Sequence, residues 1–370
     1  MKKKLIVLYE EDKLNPKNTW SGTCYQLKEA LKDYLDVVFI DAYDIKPIKL
    51  IKILSKKIEK HTTSYVVKPI YEKLHEIEIN NRIKKYKDVP VLEICENVIL
   101  KNDFYLYRDM AYACYKDVYE ELKNDNNDYG HGMLNFISKK ALKKRIIREE
   151  KIQHLAKGTF FMGKWLKDLM SKYYPNEKDK FIHAGGGLNK ELKISDIKKD
   201  LNLNSILFVG IDFKRKGGEL LLKAFDILNK EYNDNAKLYI AGPNIKKEEN
   251  NICYVGKASR EELSTLFNKC NIFCMPSRFE AYGLVFIEAM CYGMPIVSYN
   301  RYEMPHFIQN EVNGYLIDNY DENDLALALH KALNNKVMQE LAIKNAKANQ
   351  DKYSWNKVAE RIYNYIERFN

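Results

Sequence analysis

The chain has 370 residues, of which 46% are hydrophobic and 30% charged. That length accommodates two ordinary domains, and that apolar content excludes an intrinsically disordered chain. The net charge of +10 falls entirely in residues 1–200, which hold 40 Lys+Arg against 30 Asp+Glu, whereas residues 201–370 hold 21 of each. The excess points to an anionic partner for the first half: a membrane surface, a phosphorylated acceptor or nucleic acid. Solvated lysines of a biased composition are the alternative.

The chain opens with "MKKKLIVLYEEDK", whose apolar stretch, Leu5 to Tyr9, is too short for the core of a secretory signal. A buried first strand is expected instead. No apolar run approaches the roughly 18 residues needed to span a bilayer. The expected location is cytoplasmic, with any membrane contact peripheral at the inner face. The seven cysteines are odd in number and sit mostly in apolar runs, such as Cys253 and Cys274. They read as small core residues in a reducing compartment. Cys270 and Cys274 form no pair of Cys-x-x-Cys dyads, so no structural zinc is expected.

After the first strand, "SGTCYQLKEALKDYL" reads as a helix and "VVFI" as a second strand. Residues 46–88 are basic and largely helical. Within them, "KPIKLIKILSKKIEK" (46–60) places Pro47, Ile51, Leu54 and Ile58 on one helical face. Lys49, Lys52, Lys56 and Lys60 fall on the opposite one. Such a helix suits an anionic membrane surface, or packs on its own domain with a solvated lysine face. "FYLY", a helix around "MAYACYKDVYEEL", and "KFIHAGGGLN" follow. The boundary near "GGGLNKELKISD" divides residues 1–190 from 191–352.

The second half alternates strand and helix: "SILFVG", "KLYIAG", "ICYVG", "IFCMPS", "PIVSY" and "GYLI" are strands with helices between most of them. Ser259 and Glu262 form a capping box. Short, β-branched, nearly continuous apolar strands separated by helices predict a parallel sheet covered on both faces. The first half is the same kind of object. Two Rossmann-like domains would hold a ligand in a cleft at the carboxyl ends of their sheets.

The strongest local signal is "PSRFEAYGLVFIEAMCYGMPIVS". Gly283 permits a tight turn, and the helix starting near Leu284 offers free N–H groups suited to a diphosphate. That helix is apolar all round except for Glu288, which predicts a buried helix and a carboxylate in need of donors. Ribose hydroxyls would supply them, as would a structural Lys or Arg. Glu280 lies in the preceding loop. A second signal, "FVGIDFKRKGGELLLKAF", brings Lys214, Arg215 and Lys216 to a helix start, where cations suit phosphate. It is neither G-x-G-x-x-G nor a Walker loop, which argues against a dehydrogenase or a P-loop NTPase.

Together these segments resemble the retaining glycosyltransferases of family 4. The Glu-x7-Glu pattern appears as Glu280 and Glu288, and the Gly-x5-Lys-Gly loop as Gly210 to Lys216 and Gly217. "YEMPHFIQNEVNGYLI" and "FIHAGGGLN" match two further family segments, and "YSWNKVAERIYNYIERF" resembles a helix (353–370) that crosses back to the first domain. The resemblance implies an α/β, GT-B fold, with two parallel sheets facing across a donor/acceptor cleft. It implies a hexosyltransferase that needs no metal or other cofactor. The donor is expected to be a UDP- or GDP-sugar, and the acceptor a glycan or lipid-linked molecule of cell-surface polysaccharide or glycolipid synthesis.

By the same resemblance, Glu280 lies by the transferred sugar and Glu288 binds the ribose. Lys216 neutralises the diphosphate, and the amides of Tyr282, Gly283, Leu284 and Val285 contact phosphate or sugar. Gly22 lets the first-domain backbone approach the diphosphate. Two departures stand out. Ile211 replaces the usual Arg after the loop glycine, with Arg215 the expected substitute. No His ends the central strand of the first domain, where Asp109 is the preferred candidate and His131 the second. The alternatives are a non-catalytic membrane-associated partner protein and a GT-B epimerase or phosphorylase. Nucleic acid is not an expected partner, since no aromatic-basic interleaving appears.

Overall fold

The computed structural model describes residues 2–43, 67–116, 138–188, 197, 199–232 and 235–369. The amphipathic segment 46–60 and His131 lie outside them. The described residues fall into two compact units. One comprises 2–116 and 138–188 together with 355–369, and the other 197–354.

The first unit holds strands β1 (Lys4–Tyr9), β2 (Asp36–Asp41), β3 (Val91–Ile94), β4 (Phe104–Arg108), β5 (Gly158–Phe161) and β6 (Phe181–His183). Its sheet runs β2-β1-β3-β4-β5-β6 and every pair is parallel. In register, Ile6 lies opposite both Val38 and Val91. Leu5 to Tyr9 are all buried, because a strand with no polar alternation must be covered on both faces. The helices are α1 (Thr23–Leu31), α2 (Val67–Ile83), α3 (Lys139–Leu155) and α4 (Lys164–Tyr173). Ile79 and Ile83 of α2 and Ile152 of α3 close one core cluster against Ile6, Leu8 and Leu106. Leu166 and Met170 of α4 close another against Phe161 and Phe181.

The second unit holds β7 (Ser205–Val209), β8 (Lys237–Ala241), β9 (Lys247–Glu249), β10 (Ile252–Gly256), β11 (Ile272–Cys274), β12 (Ile296–Tyr299) and β13 (Gly314–Ile317). Its sheet order is β13-β12-β11-β7-β8-β10-β9, and β9 pairs antiparallel with β10. The helices are α5 (Gly218–Ile227), α6 (Arg260–Lys269), α7 (Leu284–Cys291), α8 (Met304–Phe307), α9 (Glu322–Asn334) and α10 (Lys336–Lys352). Both halves of the capping box at Ser259 and Glu262 form. Lys199 donates to the carbonyls of Phe267 (2.5 Å) and Cys270 (2.6 Å) at the other end of α6, and burial pushes its ammonium down to about 7.

The chain then returns to the first unit as α11 (Trp355–Phe369). Val358, Ala359, Ile362 and Ile366 form its buried stripe. Tyr363 stacks on Tyr34 (5.2 Å), and Arg361 donates to the Ala184 carbonyl (2.7 Å).

All six strands expected in the second half are present, with β9 an unexpected seventh. In the first half, β3 and β5 were not expected from the sequence. The described part of the helix expected around "MAYACYKDVYEEL" opens with a 3₁₀ turn, Tyr112–Cys114. No described helix is long and apolar enough to cross a membrane.

Candidate functional site

In the second sheet, chain order reverses between β7 and β11. The loops leaving the carboxyl ends of those two strands therefore lie at the switch point, the position where open α/β sheets bind ligands. The β7 loop carries Arg215 and Lys216, and the β11 loop carries Glu280.

These loops are tied together. Lys216 Nζ lies 3.2 Å from Glu280 Oε2 and Arg215 Nη1 lies 4.0 Å from the same oxygen. Arg215 also donates from Nη1 to the Phe279 carbonyl (2.9 Å) and from Nε to Asp212 Oδ2 (2.8 Å). The Arg278 amide donates to the Arg215 carbonyl at 3.4 Å. Ser277 Oγ donates to the Phe279 carbonyl (3.0 Å) and Ser298 Oγ to the Met275 carbonyl (2.9 Å), which fixes the β11 loop from inside. Lys216 and Glu280 are only 17% and 16% exposed, so each charge depends on the other for compensation. Ile211, by contrast, is 78% exposed.

Gly283 starts α7 with φ 85, a left-handed conformation that glycine adopts without strain. The N–H groups of Gly283, Leu284 and Val285 have no carbonyl acceptor within the helix, whose first such bond runs from Phe286 to Gly283, and are available for an anion. Tyr282 is buried with its ring edge-on to Phe307 (5.2 Å). One expectation needs correction. The α7 helix is not buried all round. Phe286, Ile287, Ala289, Met290 and Cys291 are buried, while Leu284, Val285 and Glu288 are half-buried and share one face at i, i+1 and i+4. Composition could not show this, because two of the three residues on that face are aliphatic. Glu288 thus sits on the open side of the helix whose first turn carries the free amides. The thiols of Cys274 and Cys291 are pushed up by burial, that of Cys291 to about 12. They are packing residues.

In the first unit the switch point lies between β1 and β3. The loop after β1 passes through Trp20 (φ 48) and Ser21 (φ 56) into Gly22 (φ 90), which caps α1. Two non-glycine residues in the left-handed region are strained. Thr19 Oγ1, which accepts from the Asp12 amide (2.9 Å) and donates to the Pro16 carbonyl (2.9 Å), holds them there. Asp109 immediately follows β4 and is half-buried. Burial first, then the carboxylates of Glu96 and Asp109, pushes the Cys24 thiol up, which places both carboxylates near the start of α1. Gly22 and Asp109 are thus gathered at one end of the first sheet.

Sequence reasoning missed the groups that hold this end together. Arg108 donates from Nη2 to Glu93 Oε1 (2.6 Å) and to the Glu96 carbonyl. Glu96 accepts the Glu10 amide (3.0 Å). Burial pushes the Glu93 carboxyl up to about 7, against the pull of Arg108. Glu149 of α3 accepts the amides of Tyr112 (2.8 Å) and Ala113 (2.9 Å), and burial pushes it up to about 7 as well. The available signal was a lone carboxylate inside the apolar run "VLEI". Glu93 pairs in register with Leu106, so Arg108, two residues further on, shares its face.

Among the described residues, no group of three or more His, Cys, Asp or Glu side chains gathers as metal ligands. Residues 189–349 match the model of the family described as Glycosyl transferases group 1. The matched stretch covers nearly all of the second unit. That stretch contains all the site residues on the β7 and β11 loops. An uncharacterized glycosyltransferase of Methanocaldococcus jannaschii is 28% identical over 214 residues, which cover 54% of this chain and 59% of that protein. The chain spans about half the length of the first curated relatives that it matches, between 43% and 59%. Among solved structures, the apo lipopolysaccharide outer core galactosyltransferase WaaB matches with a TM-score of 0.66 at 12% identity, covering 99% of this chain and 100% of that one. HepE of Anabaena, solved in complex with UDP and glucose, matches with a TM-score of 0.64 at 11% identity, covering 98% and 99%. The fold is GT-B: α/β, with two parallel-sheet domains.

Proposed function

We propose that this chain is a glycosyltransferase. It moves a hexose from a nucleoside-diphosphate sugar, with UDP or GDP as carrier, to a glycan or lipid-linked acceptor of cell-surface polysaccharide or glycolipid synthesis. The observation that carries this reading is the 3.2 Å pairing of Lys216 with Glu280 beside the free amides that open α7. One cation, several N–H donors and two carboxylates are what a diphosphate flanked by two polyols requires. HepE, which has the same fold, was solved with UDP and glucose.

In this reading the diphosphate displaces Glu280 from Lys216 and takes up the amides of Gly283, Leu284 and Val285, with that of Tyr282 beside them. Glu280, released, accepts from hydroxyls of the sugar. Glu288, on the open face of α7, accepts from the ribose. Arg215 holds the two loops in register and adds its charge at the position that Ile211 leaves neutral. In the first unit, Gly22 leaves its backbone open to a phosphate, and Asp109 is the candidate group for the acceptor.

The reaction retains anomeric configuration by front-face attack. The bond from the anomeric carbon to the phosphate oxygen breaks, the acceptor oxygen bonds to that carbon on the same face, and the acceptor proton passes to the departing phosphate. Charge developing on the leaving group meets dipoles and a cation already in place. The expected site of action is cytoplasmic.

A thermal-shift panel of UDP, GDP, ADP and their sugars, followed by turnover with whichever sugar binds, tests the reading. A ligand at ~100 times its Kd adds about 2.7 kcal/mol of stability. No shift with any nucleotide would refute a donor site. Binding without turnover against any acceptor would leave a nucleotide-binding partner protein instead.

A further inference from the structure

The loop that leaves β4 is fixed on both sides by buried side chains. At its start, Arg108 donates from Nη2 to Glu93 Oε1 (2.6 Å) and to the Glu96 carbonyl, and its own carbonyl accepts the Met162 amide (2.8 Å). Further on, the amides of Tyr112 and Ala113 both donate to Glu149 of α3, one to each carboxylate oxygen, at 2.8 and 2.9 Å. Asp109, Met110 and Ala111 span the gap between these two anchors. So short a span has little conformational freedom left once both flanks are held, and the place of the Asp109 carboxylate follows from them.

The clamp at Glu149 exceeds what the packing of this turn needs. Ala111, Ala113 and Cys114 already bury themselves against Phe161, Leu166 and Met170. Glu149 is only 7% exposed, so its carboxylate gives up hydration for two amides and the Tyr174 hydroxyl at 3.5 Å. What the carboxylate supplies is geometry. Two acceptor oxygens on consecutive amides fix both the distance and the rotation of the turn. A neutral amide side chain has one such oxygen and would turn its amino group toward the second N–H.

We infer that Glu149 is a positioning residue, which sets through the amides of Tyr112 and Ala113 where Asp109 stands toward the acceptor; this rests on the reading of Asp109 as the group for the acceptor. Glu149 itself exchanges nothing with the substrates.

A double-mutant cycle in the full chain tests this, with Glu149→Gln, Asp109→Asn and the double variant compared with wild type. Assays at about pH 8 keep the Glu149 carboxyl, raised by burial to about 7, ionised. Glu149→Gln is expected to lower kcat for transfer about tenfold or more, as a small misplacement of a reacting group does. Nucleoside-diphosphate affinity should stay within a few-fold of wild type. The double variant should lose no more than Asp109→Asn alone, because Glu149 acts only through Asp109. Losses that multiply in the double variant, or a fall in nucleotide affinity equal to the fall in kcat, would make Glu149 merely structural. Asp109→Asn that turns over like wild type would end the reading of Asp109 and the role of Glu149 with it. Amide hydrogen exchange, read by mass spectrometry, reports the clamp without any turnover. Glu149→Gln should speed exchange in residues 109–114 and leave the peptide holding Gly283 to Val285 unchanged. Wild-type exchange in residues 109–114 of that variant overturns the inference, whatever the reaction proves to be.

Discussion

Gly217, at the end of the β7 loop, lies directly against Pro276, which follows β11. A Cβ on Gly217 would fall inside contact distance of the Pro276 carbonyl oxygen, and Gly217 itself has φ 80. This close approach of two backbones brings Lys216 and Glu280, 64 positions apart, within ion-pair reach.

Gly217→Ala should therefore act twice, through left-handed strain and through separation of the loops. The expected loss of stability in the second unit is about 2 kcal/mol or more. The nucleotide-induced thermal shift should fall with it. A variant as stable as wild type would show that the loops tolerate separation.

Lys216 and Glu280 should separate by assay. Lys216→Ala removes a charge-assisted contact of about 1.5–3 kcal/mol, so nucleoside-diphosphate affinity should fall tenfold or more. Glu280→Gln should leave that affinity within a few-fold and lower turnover far more. Calorimetry and initial rates on the same preparations decide. Equal losses in both measurements would put Glu280 on the nucleotide or make it structural.

For Glu288 the ribose contact predicts a dependence on the ligand. Glu288→Ala should weaken a ribonucleotide about tenfold, yet barely change the affinity for its 2′,3′-dideoxy analogue. A variant that weakens both alike is missing something other than a ribose contact.

Arg215→Ala should weaken binding of the diphosphate and leave the bare nucleoside unaffected. Because Arg215 also holds Phe279 and Asp212, Arg215→Lys is expected to restore part of the charge effect without restoring the loop contact. An unaltered diphosphate affinity in Arg215→Ala would end its assignment as the substitute at Ile211.

Glu149 predicts a pH dependence of the first unit. Its carboxyl is raised to about 7 by burial, above the usual unfolded value of roughly 4.3. The native state thus binds the extra proton between those values, and stability falls as pH rises from about 4.5 to 7. Glu149→Gln should flatten that part of the profile. All three tryptophans, Trp20, Trp165 and Trp355, belong to the first unit, so urea unfolding followed by their fluorescence reports it selectively. An identical slope in wild type and variant would mean that Glu149 is ionised in the folded protein.

What the sequence determined by itself was what neighbouring residues dictate to one another. Runs such as "SILFVG" and "KLYIAG" are apolar and short enough to be only buried strands, and Ser259 with Glu262 marks a helix start within four residues. The glycine-bounded loop from Gly210 to Gly217 and the turn at Gly283 were legible for the same reason. The tertiary structure decided what depends on residues distant in the chain. β3 escaped notice because Glu93 breaks its apolar run, and only pairing with β4 brings Arg108 onto its face. The open face of α7 is invisible in a helix whose half-buried positions include Leu284 and Val285. Periodicity can assign a face only when polarity differs around the helix, whereas burial is set by whichever elements the sheet order happens to bring alongside.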